Sequence, residues 1–127
     1  MEIQQVDHLV LTVLDIDASC EFYHQVLGMD IVEFGEGRKA LAFGLQKINL
    51  HRYGEELEPH AAHPAPGTAD MCFLTSVPLD DFVRRCRENN VEIVEGPVER
   101  TGAQGPILSV YLRDPDGNLI EVANPLY

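Results

Sequence analysis

Residues Asp114–Val122, DPDGNLIEV, begin as a turn and end as a strand. The DPDGN segment is turn chemistry, because Pro fixes φ while Gly and Asn tolerate the left-handed region. Leu119 to Val122 then reads as a β-strand in which one carboxylate, Glu121, stands among apolar residues. Period-2 alternation sends Ile120 and Val122 to one face of a sheet and Glu121 to the other. A one-residue slip would exchange those faces, so the turn ahead of the strand sets the register on which Glu121 depends. A half-buried carboxylate without a partner costs several kcal/mol or takes up a proton, and the rest of the chain has to supply that partner.

Working outward, SVYLRD precedes the turn as a strand, and VEIVEG is a strand before a Gly/Pro-rich stretch. A helix from Pro78 to about Asn89 carries Leu79, Phe82, Val83 and Cys86 on one stripe, and ADMCFLTS (Ala69–Ser76) is the strand ahead of it. The order is β-α-β-β-β. The first half has the same order. Val6–Val13 is a strand, and Asp15 or Asp17 caps a helix running to Leu27, with Gly28 placed as its C-terminal stop. Strands follow at Ile31–Phe34, Lys39–Gly44 and Lys47–Tyr53. The Gly54–Gly67 segment holds three prolines and no periodicity, and reads as a linker.

These features give an α+β fold of two paired βαβββ modules in one domain spanning 1–127. Module 1 covers about 1–54, the linker 55–67 and module 2 about 68–127. The expected architecture is a curled, cup-shaped mixed sheet around a metal site. Aligning DHLVLTV with ADMCFLT sets Asp70 against His8, and aligning KINLH with GNLIE sets Glu121 against His51. The separations, 62 and 70 residues, differ by eight, and the surplus falls in a loop at Pro97–Ile107 that has no counterpart in the first half. An internal duplication with one insertion explains the pattern.

The totals bound the function. A formal charge of −12 in 127 residues argues against a nucleic-acid or anionic-membrane partner, both of which require a basic patch. No apolar run is long enough to span a membrane, and MEIQQVDHL lacks the layout of a signal peptide. Cys20, Cys72 and Cys86 are odd in number and lack metal-type spacing, so they read as small buried thiols in a reducing compartment. A cytoplasmic protein is expected.

Glu121 now has companions. The first and last strands of each half hold one residue of metal-binding type: His8, His51, Asp70 and Glu121. Each alone has an ordinary explanation as a hydrogen-bonded or solvated residue. Four at equivalent places in two repeats argue for a divalent cation with mixed N/O ligation. Iron(II), manganese, nickel, cobalt and zinc all suit such a set, and each leaves positions open for water or substrate. In the inserted loop, Arg100, Thr101 and Gly102 are candidate substrate contacts, because glycine lets backbone N–H groups approach an oxygen-rich ligand. Arg38 and Lys39 are candidate counter-charges for an anionic substrate.

DHLVLTV, FYHQVLGM, NLH and RDPDGNLIEV together resemble the vicinal oxygen chelate superfamily, which includes glyoxalase I, fosfomycin- and bleomycin-resistance proteins and extradiol dioxygenases. KALAFGLQKINLH, HPAPGTADMCFLT and the segment from EGPVERTGAQGPIL onward are most similar to the glyoxalase domain-containing protein 5 group, whose bacterial relatives carry labels relating them to type III biphenyl-2,3-diol 1,2-dioxygenase or to virulence. The resemblance implies a homodimer, with the cup assembled within one chain or across two. It also implies metal ligation by His8, His51 and Glu121, with Asp70 acting through water or as a base. The activity it implies is divalent-metal-dependent chemistry on a small substrate with adjacent oxygens, by a lactoylglutathione lyase-like lyase or isomerase with Glu121 and Asp70 as catalytic groups. The alternatives are an extradiol-type ring-cleaving dioxygenase using iron(II) and a metal-free drug-binding resistance protein.

Overall fold

In module 1, β1 (His8–Val13) alternates as its sequence requires: Leu11 and Val13 are buried, while His8 and Val10 are exposed. The Asp15 side chain accepts a hydrogen bond from the Ala18 N–H at 3.0 Å, so Asp15 rather than Asp17 caps α1 (Ile16–Gln25). Gly28 at φ +70° turns the chain out of the helix. Three antiparallel strands follow, β2 (Asp30–Phe34), β3 (Arg38–Phe43) and β4 (Gln46–Arg52). The sheet order is β1-β4-β3-β2, with β1 parallel to β4. α1 packs on this sheet, and Leu41, Ile48 and Leu50 of the strands are buried, as are Tyr23 and Val26.

Module 2 repeats the plan with β5 (Asp70–Leu74), α2 (Leu79–Glu88), β6 (Glu95–Thr101), β7 (Pro106–Arg113) and β8 (Leu119–Pro125). Its order is β5-β8-β7-β6, again with one parallel pair. Pro78 offers α2 no side-chain cap. Asn124 of β8 replaces it, accepting from the Leu79 N–H at 3.0 Å and donating to the carbonyls of Thr75 and Val77. Phe82, Cys86, Val110, Leu112, Ile120 and Val122 are buried in this module.

The computed structural model describes residues 1–127, and its compact units are Met1–Gly67 and Thr68–Tyr127. Two expectations are corrected within these units. The strand expected at VEIVEG starts only at Glu95, and β6 runs through Pro97 to Thr101, so much of the expected loop is strand. Proline is tolerated because β6 is the edge of its sheet and Pro97 lies in a β-bulge, where the ladder shifts between Glu95 and Val98. The repeat alignment is also displaced by two residues. His8 pairs with Lys47 and Asp70 with Leu119, so the counterpart of Glu121 is Asn49, and His51 occupies the place of Ala123.

Candidate functional site

The DPDGN turn is a hydrogen-bonded device. The buried Asp114 carboxylate accepts from the backbone N–H groups of Asp116 and Asn118 at 2.9 Å and from Asn118 Nδ2 at 2.7 Å. Asn118 Oδ1 in turn accepts from the Ala69 N–H at 2.9 Å, which locks the start of β8 to the start of β5. Glu121 is thereby held opposite Cys72 on β5 and Tyr111 on β7.

On this face Glu121 Oε2 accepts from Ser109 Oγ at 2.6 Å, and Cys72 stands opposite Glu121 on the neighbouring strand. Partial desolvation of the sulfur, followed by the Glu121 charge, pushes the Cys72 thiol up to about 11, so it stays protonated and non-nucleophilic at neutral pH. A carboxylate offers about four lone-pair sites, and the Ser109 donor leaves room for a cation or a substrate hydroxyl. Arg100 Nε donates to Tyr111 Oη at 3.0 Å. The phenol's own proton is therefore free to point at a ligand. Ser109, Tyr111 and Cys72 are not among the residues that the sequence marks as a site, although the polar alternation Ser109, Tyr111, Arg113 in SVYLR defines one face.

Two hollows meet at Glu121, both within module 2. One, of about 490 Å³, is lined by Cys72, Ile107, Tyr111, Tyr127 and the segment Arg100–Gln104. The other, of about 410 Å³, is lined by Asp70, Glu95, Arg100, Tyr111 and Arg113. The structure thus brings Arg100, Thr101, Gly102 and Glu121 together, and sets Asp70 beside Glu121 in the second hollow.

In module 1, His8 is exposed and its Nδ1 lies 2.9 Å from the Asp7 carboxylate, which leaves Nε2 as the outward donor atom. His51 is buried at 8% exposure; burial first, and then the nearby Arg38 charge, lower its pKa and favour the neutral imidazole that metals bind. His51 pairs with Thr12, four positions beyond His8 on the same sheet face. That offset is about 13 Å along a strand, whereas two donor atoms on one ion lie within about 4 Å of each other. Within neither module do three His, Cys, Asp or Glu side chains gather at metal-binding range.

Arg38 and Lys39, the candidate counter-charges for an anionic substrate, are adjacent on β3 and face opposite ways. Lys39 is ion-paired with Asp17 of α1 at 3.0 Å, while Arg38 and Lys47 both sit over the Phe34 ring, at 4.6 and 3.9 Å. The three cysteines are free thiols, with Cys20 and Cys86 buried; Cys72, expected to be buried, is exposed, because it lies on the Glu121 face. No helix is long and apolar enough to cross a membrane.

A βαβββ duplication with its polar residues on one sheet face defines a class, and sequence comparison agrees. Residues 5–122 match the Glyoxalase/Bleomycin resistance protein/Dioxygenase superfamily, and the chain belongs to that superfamily. It is 57% identical over 123 residues to Virulence protein STM3117 of Salmonella typhimurium, covering 97% of this chain and 85% of that protein. It is 52% identical over 124 residues to the Glyoxalase domain-containing protein RDO1 of Mycosarcoma maydis, covering 98% of this chain and 70% of that one. Among solved structures, an integron cassette protein from the mobile metagenome of V. cholerae superposes with a TM-score of 0.96 at 56% identity, over 98% of this chain and 97% of that one. Members of the superfamily commonly use divalent metals.

Proposed function

We propose that this protein is a divalent-metal-dependent enzyme acting on a small molecule with adjacent oxygens, by proton-transfer chemistry of the lyase or isomerase kind. The observation that carries the reading is Glu121, fixed by Ser109 at the junction of two hollows that also hold Asp70 and Tyr111. His8, His51 and Glu121 are the proposed ligands. The donor set fits: Asp7 orients the His8 ring, His51 favours its neutral form, and Glu121 has lone pairs to spare. The four-position offset of the histidines supports drawing His8 and His51 of any one site from two copies of the chain, hence a homodimer.

When bound, the metal supplies Lewis-acid polarisation of the substrate's paired oxygens. The chain's own groups do the rest. Tyr111, its oxygen already accepting from Arg100, donates its proton in a hydrogen bond to a substrate oxygen. Asp70 and Glu121 are the carboxylates available to accept a proton from carbon beside that oxygen and return it. Leu74, Ile107 and Tyr127 line the larger hollow with apolar surface on which the substrate's carbon skeleton packs.

The test is a panel of α-hydroxyketones and 1,2-diols incubated in D₂O with the metal-loaded protein under air. The reading expects deuterium at the carbon beside the oxygens and no oxygen uptake. Stoichiometric oxygen uptake with an aromatic diol would replace it with iron-dependent ring cleavage.

A further inference from the structure

Arg100 is the one cation lining the larger hollow, and its guanidinium is already engaged. Nη2 donates to the Glu95 carboxylate, Nε to Tyr111 Oη and Nη1 to the Glu99 carbonyl. Glu95 and Arg100 are five residues apart on one strand, a spacing that regular alternation sends to opposite faces. The bulge removes that difference: Glu95 pairs with Tyr111 and Arg100 with Ile107, two residues on the same face of β7. Gly96 makes the bulge possible. Its φ is +102°, and a Cβ there would stand 2.4 Å from the Ser109 carbonyl oxygen.

The electrostatic result is a hollow that faces a ligand with the Glu121 carboxylate and a cancelled arginine. Its remaining walls are largely apolar, from Leu74, Ala103, Ile107 and the Tyr127 ring. The second hollow adds Asp70, Glu95 and Arg113, so across both, three acids face two arginines. A chain of net charge −12 adds long-range repulsion of anions.

We propose that Glu95 is a specificity-determining residue, which the β6 bulge places on Arg100 so that the arginine is withheld from an anionic ligand and the metal-free hollow favours an uncharged, apolar-bodied one. The proposal rests on reading this hollow as the substrate site. It does not depend on the metal, and its test is made without one.

The probes are 3-phenylpropane-1,2-diol and 3-phenyllactate, which share a ring and two adjacent oxygen-bearing carbons and differ in charge. Binding is measured by calorimetry and by amide shift changes on the full chain after chelator treatment. The wild-type chain is expected to bind the diol at least fivefold more tightly than the anion. Glu95→Gln is expected to raise affinity for 3-phenyllactate about fivefold, the scale of a half-exposed charge pair, with the diol changed less than twofold. Adding Arg100→Gln to that variant removes the gain, and Glu99→Gln, whose side chain takes no part, leaves the ratio as in the wild type. Equal binding of the two probes by the wild type, no binding of the diol, or a ratio unmoved by Glu95→Gln overturns the proposal. Loss of metal-dependent turnover with the ratio intact would instead count against the proposed reaction alone.

Discussion

Modules 1 and 2 share an element order, a sheet order and one parallel strand pair, yet their counterpart faces carry different chemistry. On the module 1 face, Ala40 and Asn49 are buried, and Arg38 and Lys47 rest on the Phe34 ring. On the module 2 face, the counterpart of Asn49 is Glu121, ringed by Ser109, Cys72, Tyr111 and Arg100 and opening on two hollows. The difference arises at the edge strand. β2 pairs with β3 without interruption, whereas β6 is bulged and is followed by the Gly102–Gly105 turn. Duplication supplied the frame, and one bulged, lengthened hairpin made the second copy a container.

The comparison breaks most severely at Gly96. Gly96→Ala is expected to cost about 3 kcal/mol or more, because a positive φ and a backbone collision act together. Chemical denaturation measures it, and a cost below about 1 kcal/mol would mean that the bulge rearranges freely. Helix capping gives the next contrast. α1 is capped locally by Asp15, but α2 is capped from β8 by Asn124 through three hydrogen bonds. Asn124→Ala should cost about 2 kcal/mol and Asp15→Ala about 1 kcal/mol. Equal costs would remove the distinction between local and long-range capping.

The smallest effect is one of pH. The lowered pKa of His51 means that the unfolded chain binds this proton more readily than the folded one. Stability from this group is intact above the ordinary value of 6.5, falls as pH drops through it, and levels off below the folded value. In metal-free protein, the stability of wild type relative to His51→Gln should therefore fall as pH is lowered from about 7.5 to about 5.5. A pH-independent difference would mean that burial leaves the imidazole's proton affinity unchanged.

Much of this is legible in the amino-acid sequence. Turn residues announce the DPDGN device, strand alternation puts Glu121 opposite Ile120 and Val122, and Asp15 is one of two candidate caps. The features that escape are those set by pairing between distant strands. Local pattern matches KINLH to GNLIE, but the register that makes Asn49 the counterpart of Glu121 is fixed by where β4 and β8 meet β1 and β5. Pro97 reads as a strand breaker until β6 is known to be an edge. Cys72 reads as an ordinary buried thiol until the parallel ladder puts it opposite Glu121. Arg100 is legible as a residue of the site, but the Glu95 partner that cancels its charge is not, because the bulge that unites them leaves no periodic signal.

The central claim is that Glu121, and not its module 1 counterpart, holds a divalent cation. The direct measurement is the metal content of wild type, Glu121→Gln and Asn49→Ala, each purified without added metal, with folding of all three verified by thermal unfolding. Near-stoichiometric metal is expected in the wild type and Asn49→Ala, with at least a tenfold loss in Glu121→Gln. Equal metal content in Glu121→Gln and the wild type, or none in any of the three, would contradict it.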